Sequence, residues 1–124
     1  MEILTCHCKK VEINVFLPNG LVGLEKCNCS ICIKRNAIMV PVKIENLKIV
    51  KGKEKLQLYK FHTKKAKHYF CKICGIYTHH KSRSNPQNYV FNLSCIEGIN
   101  LLDYKDIPVF DGLNFPNDNK KWKI

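Results

Sequence analysis

The sequence predicts one mainly β domain, built from short strands with metal-binding knuckles at the turns. Three observations support this prediction. The apolar residues fall in short alternating or β-branched runs, no segment keeps a 3.6-residue apolar period, and seven of the eight cysteines lie in three tight clusters. The 124 residues, of which 45% are hydrophobic and 25% charged, suit a single domain over residues 1–124.

The strands are predicted from local composition. Residues 11–16 alternate between apolar and polar side chains, and Pro18-Asn19-Gly20 closes this run as a turn. Further runs rich in β-branched or aromatic residues predict strands at 37–42, 47–50, 56–61, 68–70 and 89–93.

Other segments are predicted from their turn residues. Residues 51–54 separate two of these strands in the manner of a hairpin loop, and residues 30–36 are expected to form one helical turn. Residues 103–124, rich in Asp, Asn, Pro and Lys, predict an irregular covering segment.

The spacing of the cysteines indicates metal ligands. Adjacent half-cystines rarely reach disulfide geometry, whereas C-x-C and C-x-x-C turns bring two sulfurs within bonding distance of one zinc ion. The N-terminus has no basic region followed by an apolar one, so a reducing, cytoplasmic location is expected. A secreted disulfide scaffold is the alternative.

Two separated pairs of thiols predict a closed site. Cys71 and Cys74 flank a turn followed by Gly75, and Cys6 and Cys8 precede the first predicted strand. Together they make a four-thiolate structural zinc site that would clamp distant parts of the chain. A redox pair at Cys71 and Cys74 is the alternative, although the usual βαβ context is missing.

Cys27, Cys29 and Cys32 remain as a group of three. Three protein ligands with an open position are typical of catalytic zinc, and a soft three-thiolate site suits a thiol substrate. Alternatively, Cys95 or a histidine completes the site, or the site stays empty. Cys95 follows an apolar run and is expected to be a buried apolar residue.

The amount and distribution of charge limit the classes of binding partner. The formal net charge is +11, but the lysines are dispersed, which predicts a solvated surface. The aromatic residues lie on predicted core strands, which disfavours a stacking platform for nucleic acid. No apolar run approaches the ~20 residues of a membrane span.

These motifs resemble the glutathione-dependent formaldehyde-activating enzyme family, which includes centromere protein V-like proteins. The resemblance runs through residues 6–11, the triplet of cysteines, residues 69–75, residues 92–98 and residues 110–114. Lys9 stands where this family often has glycine. The resemblance implies a zinc-binding β-sandwich of the Mss4-like type, a fold shared with a small exchange factor for Rab GTPases.

The resemblance also implies two zinc ions per chain. One would be structural at Cys6, Cys8, Cys71 and Cys74, and the second would be held by Cys27, Cys29 and Cys32. The implied activity is condensation of glutathione with formaldehyde to S-hydroxymethylglutathione, classed as a carbon–sulfur lyase for the reverse step.

Candidate substrate residues follow from this chemistry. Lys34, Arg35 and Arg83 are candidates to meet the carboxylates of glutathione. His79 and His80 are candidates for the general acid, with His80 preferred; on a strand only one of them faces a given side. Two alternatives remain: a non-catalytic zinc module whose basic surface binds acidic partners, and a glutathione carrier without turnover.

Overall fold

The computed structural model describes residues 1–114, which form a mainly β fold. Ten short strands and one helical turn are present in this range: β1 Glu2–Thr5, β2 Glu12–Val15, β3 Lys26–Cys27, α1 Cys32–Arg35, β4 Met39–Lys43, β5 Leu47–Lys51, β6 Leu56–Tyr59, β7 Lys67–Cys71, β8 Tyr77–Lys81, β9 Asn88–Asn92 and β10 Val109–Phe110. The prediction of a mainly β fold is confirmed. No helix in the described part is long and apolar enough to cross a bilayer.

Two antiparallel sheets make the sandwich. The smaller has the order β1-β2-β5, and the larger has the order β4-β9-β8-β7-β6. A short parallel pair, β10 with β3, lies apart from both sheets. β10 belongs to the segment predicted to be irregular, and the remainder of that segment from residue 115 onward lies outside the described residues.

The core joins the inner faces of the two sheets. Val11, Ile13 and Val15, which give the smaller sheet its alternating pattern, are completely buried. They share one apolar cluster with Val40 and Phe91 of the larger sheet. Burial of such side chains contributes roughly 1.5–3 kcal/mol each. Alternation in the sequence therefore identified the core face of β2 correctly.

The predicted hairpin at residues 51–54 is wrong. β5 pairs with β2 in the smaller sheet, whereas β6 pairs with β7 in the larger one. The connection crosses between sheets through Gly52, whose φ of 78° is left-handed, and a short 3-10 turn at Lys53–Lys55. A Cβ on Gly52 would lie 1.9 Å from the carbonyl oxygen of Lys10, so glycine is required there by space as well as by conformation.

Candidate metal centres and substrate pocket

Four thiols from two segments far apart in the chain meet at one point. The sulfur atoms of Cys6, Cys8, Cys71 and Cys74 all lie within 4.8 Å of one another. The Cys6–Cys8 and Cys8–Cys71 sulfur distances are 3.6 Å and 3.7 Å. A tetrahedral zinc ion with Zn–S bonds of about 2.3 Å separates its sulfurs by about 3.8 Å. The donors and their spacing therefore fit zinc, and the cluster links β1 of one sheet to β7 of the other.

Each half of this cluster is a tight turn. The backbone N–H of Val11 donates to Cys6 Sγ at 3.4 Å, and the N–H of Gly75 donates to the carbonyl of Cys71 at 2.7 Å. Gly75 has a φ of 80°, and Lys9 has a φ of 62°. Lys9 thus takes a left-handed conformation that costs a residue with a Cβ about 1–2 kcal/mol.

The second group of thiols is local in sequence. Cys27 ends β3, Cys29 lies in the following turn and Cys32 begins α1; their sulfurs also lie within 4.8 Å of one another. The N–H of Cys29 donates to Cys27 Sγ at 3.4 Å. Hydrogen bonds from Cys27 and Cys32 lower the pKa of Cys29 to about 2, so the three thiols favour a shared negative charge. Such a group is suited to a cation.

No fourth donor closes this second group within the described residues. None of their His, Asp, Glu or other Cys side chains joins the three sulfurs. Cys95 is buried elsewhere, where its thiol donates to the carbonyl of Tyr77 at 3.5 Å. Burial raises the pKa of Cys95 to about 12, consistent with a small core residue.

A pocket of about 150 Å³ opens directly over the three thiols. The pocket lies on the outer face of the larger sheet. Its lining residues Met39, His80 and Val90 alternate along their strands with residues whose side chains face the core, namely Val40, His79 and Phe91. The apolar part of its lining is Ile31, Met39, Phe61, Ala66, Val90 and Phe110. Glu25 also lines the pocket, and burial raises the pKa of its carboxyl.

The segment after residue 107 covers one side of this pocket. The N–H of Lys26 donates to the carbonyl of Pro108, and the N–H of Asn28 donates to that of Phe110. A Cβ on Gly112 would lie 2.5 Å from Cys27 Sγ and 3.2 Å from the Cβ of Cys29. Only glycine lets the chain approach the thiols so closely, which gives Gly112 a role that the sequence analysis did not assign.

The two adjacent histidines of β8 face opposite sides, as the period of a strand requires. His80 lines the pocket, and its Nδ1 lies 2.6 Å from the hydroxyl of Tyr77. His79 is 1% exposed, bonds Thr78 Oγ1 through Nδ1 at 2.8 Å and stacks on Tyr69. Burial holds the pKa of His80 well below its usual value and lowers that of His79 to about 4. Both rings are neutral at neutral pH.

His68 was given no role by the sequence, yet it lies in the pocket. It pairs directly with His80 across β7 and β8, and the ring centroids are 5.2 Å apart. Burial lowers the pKa of His68 to about 4. His62, which also had no predicted role, lines the pocket from the loop after β6. The register of β7 against β8 brings His68 to the pocket, and no local signal in the sequence indicates this register.

Comparison with known proteins gives the family. The profile of the glutathione-dependent formaldehyde-activating enzymes matches residues 2–106 of this chain. The chain belongs to this family. It is also similar to a crystal structure of a Rhodobacter sphaeroides protein from a structural genomics programme, with 46% identity and a TM-score of 0.84. That match covers 89% of this chain and 100% of the other.

The sequence predicts three cations as candidates to meet the carboxylates of glutathione. Arg83 lines the pocket, where its Nη2 donates to the carbonyl of Gly112 at 3.1 Å. Lys34 is exposed on α1 and does not line the pocket. Arg35 does not line the pocket either, and its guanidinium lies 3.8 Å from the ring centroid of Tyr77. The structure therefore brings only Arg83 of the three predicted cations into the pocket lining.

Proposed function

We propose that this protein binds glutathione, or a similar small thiol, over Cys27, Cys29 and Cys32 and adds it reversibly to an aldehyde. The observation that carries the proposal is the pocket that opens over a three-thiol cluster with no fourth protein donor among the described residues. In the reverse direction the reaction is that of a carbon–sulfur lyase acting on an S-hydroxymethylglutathione-like adduct.

The donor sets support two zinc ions per chain. Cys6, Cys8, Cys71 and Cys74 would hold the structural ion, and Cys27, Cys29 and Cys32 would hold the second. Bound at the second cluster, zinc would supply the Lewis acidity that keeps an incoming thiol deprotonated at neutral pH. Thiolate ligands also require a reducing compartment, for which we propose the cytoplasm.

The bond changes balance without a further reactant. The thiolate sulfur attacks the carbonyl carbon and forms the C–S bond, while the carbonyl π pair moves to oxygen. That oxygen takes up the proton released by the thiol, and the product is a hydroxymethyl thioether.

Two side chains of the pocket support this chemistry. Arg83 offers a charged donor for a substrate carboxylate. His80 is neutral, so it would act through a hydrogen bond to the aldehyde oxygen rather than as a charged acid. Burial raises the pKa of Tyr77, so its hydroxyl keeps its proton and can donate it in a hydrogen bond to His80 Nδ1. The neutral His80 ring then carries its own proton on Nε2.

The test is thiol binding and turnover by a Cys29→Ser variant. Calorimetry on the zinc-loaded protein measures glutathione binding, and exchange NMR measures adduct formation above the uncatalysed rate. We expect the variant to lose both while keeping the fold, and Cys95→Ala, outside both clusters, to keep both. Wild-type binding by Cys29→Ser would refute the assignment.

The alternatives predict other outcomes of the same experiment. A glutathione carrier would bind the thiol without accelerating adduct formation. A non-catalytic zinc module would show no thiol binding, and its basic surface would bind acidic partners in a salt-dependent manner.

A further inference from the structure

Arg35 is a cation that has no carboxylate partner among the described residues. Among residues 1–114 the ion pair between Lys9 and Glu97 does not involve it, and no acidic side chain contacts its guanidinium. Arg35 is half-buried, its plane stacks on Tyr77, and its Nε is covered without a hydrogen-bond partner. A desolvated charge of this kind needs compensation from its surroundings.

The guanidinium contacts the thiol cluster directly. Arg35 Nη2 donates to Cys32 Sγ at 3.4 Å, and Arg35 itself is not among the residues that line the pocket. Three thiolates on a divalent ion carry a net charge of about −1. One guanidinium in contact with a thiolate balances this charge. The two side chains meet because Cys32 and Arg35 are three residues apart on the single helical turn of α1.

The other end of the guanidinium determines the tautomer of His68. Arg35 Nη1 lies 3.2 Å from His68 Nδ1. A guanidinium has donors only, so Nδ1 must accept, and the neutral ring must carry its proton on Nε2.

His68 Nε2 is a buried donor without a partner in the described structure. The residue is 5% exposed, and its Nε2 has no hydrogen-bond acceptor. An unsatisfied buried donor costs about 1–3 kcal/mol. Because His68 lines the pocket, a ligand oxygen that entered with a small adjustment of the wall would relieve this cost.

We propose that Arg35 is the positioning residue of the pocket: it neutralises the three-cysteine cluster through Cys32 and fixes His68 as an Nε2–H donor to a ligand oxygen. Arg35 therefore acts on the reaction without touching the substrate. The charge balance between Arg35 and the cysteine cluster follows from the geometry of this chain. The identity of the ligand oxygen, which would belong to an aldehyde or its hydroxymethyl product, rests on the proposed function.

The first test measures metal affinity. Zinc-loaded wild type, Arg35→Met, Arg35→Lys and Lys48→Met are titrated with a chromophoric chelator, and the four-thiolate site serves as internal reference. Lys48 is an exposed lysine of the other sheet, so Lys48→Met removes the same charge elsewhere.

We expect Arg35→Met to weaken zinc binding at the second site by about 10- to 100-fold, as changes to a group that contacts a metal ligand do. Lys48→Met should stay within about threefold of wild type, because Lys48 supplies no charge to the site. Arg35→Lys should lose less affinity than Arg35→Met, because it keeps the local charge but not the planar fork of donors. Equal affinity of Arg35→Met and wild type would overturn the proposal, as would an Arg35→Lys loss as large as that of Arg35→Met.

The second test reads the proton on His68 directly. Side-chain ¹H–¹⁵N NMR of the zinc-loaded wild type should place it on Nε2, and a proton on Nδ1 would overturn the tautomer argument. Because this measurement uses the wild-type protein, it still tests the proposal if Arg35→Met does not fold.

A matched pair of His68 variants then tests whether the proton on Nε2 contributes to turnover. His68→Gln keeps a donor near the Nε2 position, whereas His68→Asn keeps only the group that faces Arg35. We expect His68→Asn to lose about 100-fold in kcat, typical of one lost donor to a developing oxyanion, and His68→Gln to recover most of it. Equal losses in the two variants would overturn the donor role. Inactive wild type would instead refute the proposed function and leave the metal and NMR results standing.

Discussion

The two cysteine clusters use the same donor atom but have different surroundings. Cys6, Cys8, Cys71 and Cys74 supply four thiols from two distant segments and connect the two sheets. Cys27, Cys29 and Cys32 supply three thiols from six consecutive residues and open on a pocket. Because four thiolates fill the coordination of zinc and three do not, the first suits structure and the second suits ligand binding.

The difference extends beyond the number of ligands. Backbone N–H groups such as that of Val11 satisfy the closed cluster. The open cluster also accepts a backbone N–H, from Cys29 to Cys27 Sγ, and in addition it contacts a charged side chain, Arg35, and a close backbone neighbour, Gly112. The open cluster therefore has a cation in contact with one of its sulfurs, which can balance the net charge of a three-thiolate site. Four changes test this contrast.

The largest effect is expected from removing one ligand of the closed cluster. Cys71→Ser should lower the free energy of unfolding by more than about 4 kcal/mol or prevent folding, since a lost metal site belongs to the most damaging class of mutation. Zinc-dependent thermal unfolding measures this change. Cys29→Ser should shift the melting temperature far less, and equal destabilisation by the two variants would contradict the division between clusters.

A chelator should remove the two metal ions one after the other. The ion at the open cluster should be removed first, at a chelator concentration at least about tenfold lower, because it has one protein ligand fewer and faces the pocket. Metal release and circular dichroism are followed together. Loss of the first equivalent should leave the β spectrum intact, whereas simultaneous loss of metal and fold would show a single coupled unit.

Gly112→Ala tests the close approach at the open cluster alone. The added Cβ would be 2.5 Å from Cys27 Sγ, so the thiol or the segment must move. We expect zinc affinity at the second site to fall by about tenfold or more, with the first site unchanged. Leu113→Ala, at an exposed neighbour, is the control. Unchanged affinity in Gly112→Ala would mean that residues 108–114 move freely away from the thiols.

The smallest effect concerns the turn of the closed cluster. Lys9→Gly should stabilise the fold by about 0.5–1 kcal/mol, because glycine accepts the φ of 62° without the steric cost. The exposed Lys9–Glu97 contact at 3.5 Å contributes little to offset this gain. Lys10→Gly, next to it without a left-handed φ, should be neutral or destabilising. A lower melting temperature for Lys9→Gly would show that its ion pair dominates.

Much of the fold could be predicted from the sequence because its signals are local. The alternation around Ile13 marks β2 and its buried face, and α1 lies within the predicted helical turn at residues 30–36. β8 was harder to predict. Its Tyr-Thr-His-His-Lys sequence is polar, and its buried histidines are satisfied by partners such as Tyr77 and Thr78 or by stacking. The wrong hairpin at residues 51–54 arose because a turn signal does not tell which sheet the next strand joins.

The sequence by itself determined the family and the grouping of thiols one to three residues apart, because such spacings limit where neighbouring sulfurs can lie. Only the tertiary structure decided what surrounds them. The register of β7 against β8 brings His68 beside His80, and residues 108–114 cover the pocket with Gly112. Arg35, predicted to meet the substrate, contacts Cys32 Sγ and the ring of Tyr77 and does not line the pocket. These placements depend on contacts between residues far apart in the chain, which no local pattern specifies.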